Sequence, residues 1–208
     1  MASIVSGSIP AQVSGGSQRS IACKTLSAAY WIIVGVGAVL TLARFSEAFL
    51  ILRAQNLGLS LALAPLVLVV MNVVYSAAAY PLGALSDRID RKLMLALGFA
   101  TLIVADLILA AAPTLSVVMI GVALWGLHMA ITQGLLSALV ADAAPQHLRA
   151  TAFGAFNFAS GIALLLASLI AGFLWEHIGP SVTFIAGAVF TGLGLAILFI
   201  TRRTNPVT

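Results

Sequence analysis

Residues 81–92 read Pro81-Leu82-Gly83-Ala84-Leu85-Ser86-Asp87-Arg88-Ile89-Asp90-Arg91-Lys92, a charged clasp set between two long apolar runs. Each run reaches the roughly 20 residues that span the hydrocarbon core of a bilayer as a helix. A water-soluble protein has no reason to join two such runs with a tight cluster of Asp, Arg and Lys. A membrane protein does, because the cluster cannot cross the bilayer and so pins both helix ends to one side.

Composition agrees. Hydrophobic residues make up 62% of the 208-residue chain and charged residues 8%, with a mean hydropathy of +1.14. Soluble domains are about 25% charged, so an ordinary soluble fold is excluded. The net charge of +4 sits on no basic face of a soluble module, so nucleic acid is not expected as a partner. Cys23 is the single cysteine; it has no disulfide mate in the chain and no partner for a metal site. No metal, cofactor or catalytic residue is expected.

Working outward from the clasp, residues 1–28 are small and polar and read as a flexible cytoplasmic tail or linker without a signal-peptide pattern. A six-helix transmembrane domain follows over 29–203, and 204–208 form a short cytoplasmic tail. The spans fall at about 29–53, 61–85, 93–112, 115–141, 151–175 and 181–201. Lipid cannot satisfy an open backbone, and no barrel-type alternation is present, so the fold class is all-α and polytopic. Turn signals separate the spans: Asn56-Leu57-Gly58, Pro113, Pro145 and Gly179-Pro180. Pro65 and Pro81 suggest a tilted or kinked second helix. With both termini cytoplasmic, Arg19, Lys24, Arg88, Arg91, Lys92, Arg149, Arg202 and Arg203 lie inside and only Arg53 lies outside. That asymmetry sets the orientation by the positive-inside rule, in the inner (cell) membrane.

Charges within a span are costly and mark candidate functional sites. Arg44 and Glu47 are three apart in the first span, so they lie on one helical face and can neutralise each other. Gly37, Thr41, Ala48 and Ile51 share that face. Such a face suits a cavity lining, and it also suits a structural pair that fixes helix packing. In the fourth span Trp125, His128, Met129, Thr132 and Gln133 fall on one face. His128 sits near mid-span and can exchange protons near neutral pH, while Gln133 can hydrogen-bond a substrate; interhelical hydrogen bonds are the other reading for both. Asp106, in the outer half of the third span, is a candidate proton acceptor or a carboxylate that reaches a partner or the interface. Asn72 reads as helix glue. Asp142 and Arg149 flank the fourth–fifth loop as an inside-face gate or helix-end cap. Ala79 and Gly83 form a small-xxx-small pair that allows close helix approach.

The segment Gly83–Lys92 resembles the loop signature of the major facilitator superfamily, Gly-x-Leu-Ser/Ala-Asp-Arg-x-Gly-Arg-Arg/Lys, between the second and third helices of a six-helix half. Asp90 stands where the family prefers Gly. Leu148-Arg149-Ala150-Thr151-Ala152-Phe153-Gly154 resembles the segment that opens the fifth helix of a half in many bacterial members. Arg44-Phe45-Ser46-Glu47-Ala48-Phe49 is similar to the first helix of the carboxyl-terminal half in one such group. The resemblance covers about residues 29–203 and implies half of a twelve-helix bundle, the carboxyl-terminal half of a bacterial member, as a truncated gene product or fragment or as a half-transporter that pairs with itself or another chain, with the substrate site between two halves at mid-membrane. By the same resemblance, Gly83, Asp87, Arg88, Asp90, Arg91 and Lys92 form a cytoplasmic gate loop, and the first and fourth helices line the cavity.

The function expected is therefore secondary active transport, by the whole or half of a transporter, of a small solute by alternating access, with proton-coupled efflux as its finer form. The expected partners are a small-molecule substrate, the lipid bilayer, H+ and a second six-helix half from the same gene, another chain or a homodimer mate. A non-transporting membrane fragment or partner subunit is the alternative. An intramembrane protease is remote, because Phe158-Ala159-Ser160-Gly161 lacks the first Gly of the serine motif and the only later histidine is His177, read as a loop residue.

Overall fold

The computed structural model describes residues 26–86 and 88–204. Among them every regular element is a helix, without strands. The helices are α1 (Ala28–Ala43), α2 (Ala48–Asn56), α3 (Ala64–Ser86), α4 (Arg91–Ala111), α5 (Leu115–Ala143), α6 (Arg149–His177) and α7 (Pro180–Thr204). Single 3₁₀ turns at Leu61–Leu63 and Gln146–Leu148 lead into α3 and α6. Among the described residues five spans are long and apolar enough to cross a membrane, the first of them made of α1 and α2 together; Pro180–Ala196 in α7 is a shorter apolar helix.

The first span departs from the continuous helix read in the sequence. It stops at Ala43 and restarts at Ala48, with Arg44 extended (φ −111°, ψ 96°) between the two pieces. Local chemistry favours the break. Thr41 Oγ1 turns back onto the Gly37 carbonyl (2.8 Å), and the Ser46 hydroxyl accepts the Ala48 N–H (3.3 Å) at the new helix start. Phe45, 4% exposed, then drops from the break into an aromatic cluster, with ring centroids 5.3 Å from Phe49, 5.4 Å from Trp125 and 5.4 Å from Phe184. Lipid is as apolar as these rings, so the gain is packing rather than removal from water; each such aromatic pair contributes about 0.5–1.5 kcal/mol, which offsets part of the backbone bonding lost at the break. Gly58, at φ +96°, ends α2: its N–H reaches the Gln55 carbonyl while Leu59 N–H reaches that of Ala54. This is the glycine-ended helix stop that only a residue without Cβ adopts readily.

α5 is the most buried span, and α3 and α6 are the least. α5 packs against α3 and α4, α4 also packs against α7, and α1 lies mainly along α6. The small-xxx-small pair Ala79/Gly83 does not make the close approach expected of it, since a Cβ on Gly83 would meet open space. The close approach is at Gly126 of α5, which sits directly against the Met71 carbonyl of α3. The outer faces of α3, with the 3₁₀ turn that leads into it, and of α6 carry exposed Leu61, Leu63, Val69, Val73, Phe158, Leu165, Leu169 and Phe173, an apolar exterior that suits lipid. Of the residues read as a tail, 1–25 lie outside the described residues, and Leu26 packs with Tyr30, Val34, Val140, Ala144 and Ala152. Glu176 and His177 are in the last turn of α6 rather than in a loop, and His177 Nδ1 lies 3.0 Å from the Phe173 carbonyl.

Candidate functional site

The break in the first span opens onto a cavity of about 290 Å³ between the first, fourth and fifth spans. α1 brings Leu40 and Thr41 to it, and Arg44 follows from the unwound segment. α5 adds His128, Thr132, Gln133, Leu136 and Ser137, and α6 adds Phe156, Asn157, Ser160, Gly161 and Leu164. No carboxylate lines it among the described residues.

Arg44 is half-buried there. Its guanidinium acts electrostatically on Glu47 and on His128, but it makes no hydrogen bond among the described residues. The ion pair found among those residues is Arg91–Asp142, and none joins Arg44 to Glu47. The expected shared helical face is thus corrected. Unwinding at 44–47 removes the three-residue helical register that would have brought the two side chains together. Glu47 is half-buried and is not among the lining residues.

The polar face read on the fourth span divides in two. His128, Thr132 and Gln133 reach the cavity, whereas Trp125 (0% exposed) and Met129 belong to the core around Phe45. His128 Nδ1 is 2.8 Å from the Gly98 carbonyl of α4. A carbonyl only accepts, so Nδ1 carries the hydrogen and fixes the ring with Nε2 left over. Thr132 donates to the His128 carbonyl (2.9 Å). Ser160 Oγ is buried without a hydrogen-bond partner.

Asp106 is not in this cavity. It is fully buried on α4 against α7, and neither carboxylate oxygen has a hydrogen-bond partner among the described residues. A Cβ on Gly187 would lie 2.7 Å from its Oδ2 and 2.9 Å from Phe45 Cε1. Gly187 is therefore what leaves room for the carboxylate beside the aromatic cluster. Asn72 donates to the Leu68 carbonyl of its own helix (2.8 Å) rather than to a neighbour.

On the clasp, Asp87 lies outside the described residues. Gly83 is exposed in the last turn of α3, and its carbonyl accepts from Ser86 Oγ (2.7 Å). Arg88 is exposed, with its backbone N–H on the Leu85 carbonyl (3.0 Å). Asp90 caps α4: its Oδ1 accepts the Lys92 N–H at 3.0 Å. Asp at the family's Gly position thus supplies an N-cap and a negative charge at a helix N-terminus, both favourable. Arg91 Nη1 meets Asp142 Oδ2 at 2.7 Å, tying the start of α4 to the end of α5, and Lys92 is exposed. Arg149 Nε donates to the Ala141 carbonyl (3.2 Å), also at the end of α5.

Sequence reasoning missed Arg53, which was counted only as an outside charge. It is 8% exposed, and its guanidinium clamps the end of α4: Nε to Leu109 O (2.9 Å), Nη2 to Ala112 O (3.0 Å) and to Ala110 O (3.3 Å). Ser181 Oγ of α7 donates to the same Ala110 carbonyl (2.7 Å). The available signal was its place in the last turn of the first span, opposite the uncapped carbonyls that Pro113 predicts.

The family model of the Major Facilitator Superfamily matches residues 27–208. The chain is also 34% identical over 187 residues to a Methanocaldococcus jannaschii protein described as an uncharacterized MFS-type transporter. That match takes in 86% of this chain and 47% of the relative, so the chain spans about half the length of the relative it matches.

Proposed function

Because this chain belongs to the major facilitator superfamily, we propose that it forms one six-helix half of a secondary transporter that moves a small solute by alternating access. Membership points to transport rather than catalysis. The observation that carries the finer reading is the polar cavity at the broken first span, where Arg44, His128 and Gln133 come together inside an otherwise apolar bundle. Irregular backbone at membrane depth is tolerated where it lines a cavity, and broken helices commonly form the binding sites of transporters.

The second half comes from the same gene, another chain or a second copy, and closes the cavity from the opposite side. Rocking of one half against the other exposes the site to each side in turn. At the cytoplasmic end the clasp contributes Arg91–Asp142, whose side chains are 48% and 57% exposed. An exposed pair contributes at most about 1 kcal/mol, weak enough to break and reform in every cycle. Both termini face the cytoplasm and the bilayer is the inner membrane, as the Lys/Arg distribution favours.

Protons supply the driving force. Glu47 beside the break and Asp106 beside Gly187 are the carboxylates available within the bundle. The test is proton movement in proteoliposomes of the full native product with a trapped pH dye and a panel of external solutes. Solute-dependent proton flux is expected, and Glu47→Gln reduces it while membrane insertion is unchanged. Undiminished flux in that variant removes Glu47 from the mechanism, and a panel that moves no protons removes coupling.

A further inference from the structure

We infer that the cavity at the broken first span is an anion site, so that the solute carries a negatively charged group of the carboxylate or phosphate class. The inference rests on the transport reading above and adds the charge of the cargo.

The Arg44 guanidinium lines the cavity with no hydrogen-bond partner among the described residues. An unsatisfied guanidinium within a span is costly unless an anion answers it. Among the described residues no carboxylate lines the cavity to supply that anion. Glu47 acts on Arg44 from outside the lining without forming an ion pair, and Asp106 is turned to Gly187 and the aromatic cluster. The groups around Arg44 can donate hydrogen bonds: the Gln133 and Asn157 amides and the Ser137 and Ser160 hydroxyls. Ser160 Oγ has no partner. A planar five-donor fork with groups on the facing walls that can turn a donor inward matches a carboxylate or phosphate, and the positive charge of Arg44 repels an ammonium. The cavity volume of about 290 Å³ sits at the lower end of the range for small-molecule sites, as suits a small organic anion shared with a second half.

The same chemistry would hold a lipid headgroup, so the test uses reagents that reach the site only through water. Asn157, exposed on the cavity wall, is changed to cysteine in full-length protein carrying Cys23→Ser. Its labelling is timed in vesicles of zwitterionic lipid with sulfonatoethyl and trimethylammonioethyl methanethiosulfonate, which are matched in size and opposite in charge. A free thiol in solution gives the reference ratio of rates. A nearby unit cation in a partly dehydrated site shifts the anion-to-cation ratio by about tenfold or more. That shift is the result expected, retained in Arg44→Lys and lost in Arg44→Gln. A ratio at or below the solution value with Arg44 present overturns the anion site, and needs no substitution at Arg44 that threatens the fold. Labelling by neither reagent, applied to both faces of the membrane, also overturns it, because a small organic anion reaches the site only through water. None of these outcomes depends on flux, so an anion-selective cavity without solute-driven transport would sink the transport reading and leave this one standing.

Discussion

Replacing Arg53 with Gln should destabilise the bundle more than any single change on its outer face. The guanidinium makes two good bonds, to Leu109 O at 2.9 Å and Ala112 O at 3.0 Å, and a longer one at 3.3 Å to Ala110 O, which Ser181 already serves. Bonds from a charged donor contribute about 1.5–3 kcal/mol each, and the third is partly redundant, so the loss is about 3–6 kcal/mol. A Gln amide that regains one neutral bond of about 1 kcal/mol leaves a net cost of about 2–5 kcal/mol. In a protein of this size that lowers the unfolding midpoint by roughly 5–15 °C. Arg53→Lys should fall between, because a point charge on a flexible stem cannot bridge carbonyls as a planar fork does. The assay is thermal unfolding of purified protein in mild detergent, followed by tryptophan fluorescence. An Arg53→Gln midpoint within about 1 °C of the wild type would refute the clamp, because a shift that small corresponds to under about 0.5 kcal/mol.

Two further outcomes follow from the packing and the clasp. Gly126→Ala drives a Cβ into the backbone carbonyl of Met71, which cannot rotate away, and should cost about 1–3 kcal/mol; Gly134→Ala on the same helix meets open space and should be neutral or gain up to about 1 kcal/mol. Equal midpoints for the two variants in the same unfolding assay would show that α3 and α5 do not meet as described. Asp90→Ala should cost about 0.5–2 kcal/mol through loss of the α4 cap, whereas Asp90→Gly, which restores the family's residue, should cost only a few tenths. Chemical denaturation distinguishes these, and an Asp90→Gly loss as large as that of Asp90→Ala would count against the cap.

The fold was legible because the solvent dictates it. Runs of about 20 apolar residues have no alternative to a helix in lipid, and Gly58 and Gly179, both at positive φ, mark the turns that the sequence had marked. The break in the first span was not legible. It depends on Phe45 finding Phe49, Trp125 and Phe184, and that is a tertiary gain that outweighs local helix preference. The same gap explains why Arg44 and Glu47 looked like a pair. His128 and Gln133 emerged from periodicity because α5 is a continuous helix. Trp125, on the same side by angle, was misassigned because angle alone does not say which neighbour covers which half of a face. Arg53 counted only as an outside charge because its partners are carbonyls, which leave no charge pattern to read.

The central claim is that the cavity beside Arg44 belongs to an alternating-access path. The direct measurement is the sidedness of labelling at Asn157→Cys in the Cys23→Ser background, with a membrane-impermeant thiol reagent applied to right-side-out and inside-out vesicles of the full native product. Alternating access expects the cysteine to react from both sides, at rates that shift in opposite directions when a pH gradient is imposed. Reaction from one side only, unmoved by the gradient, would contradict it and identify the cavity as a fixed vestibule.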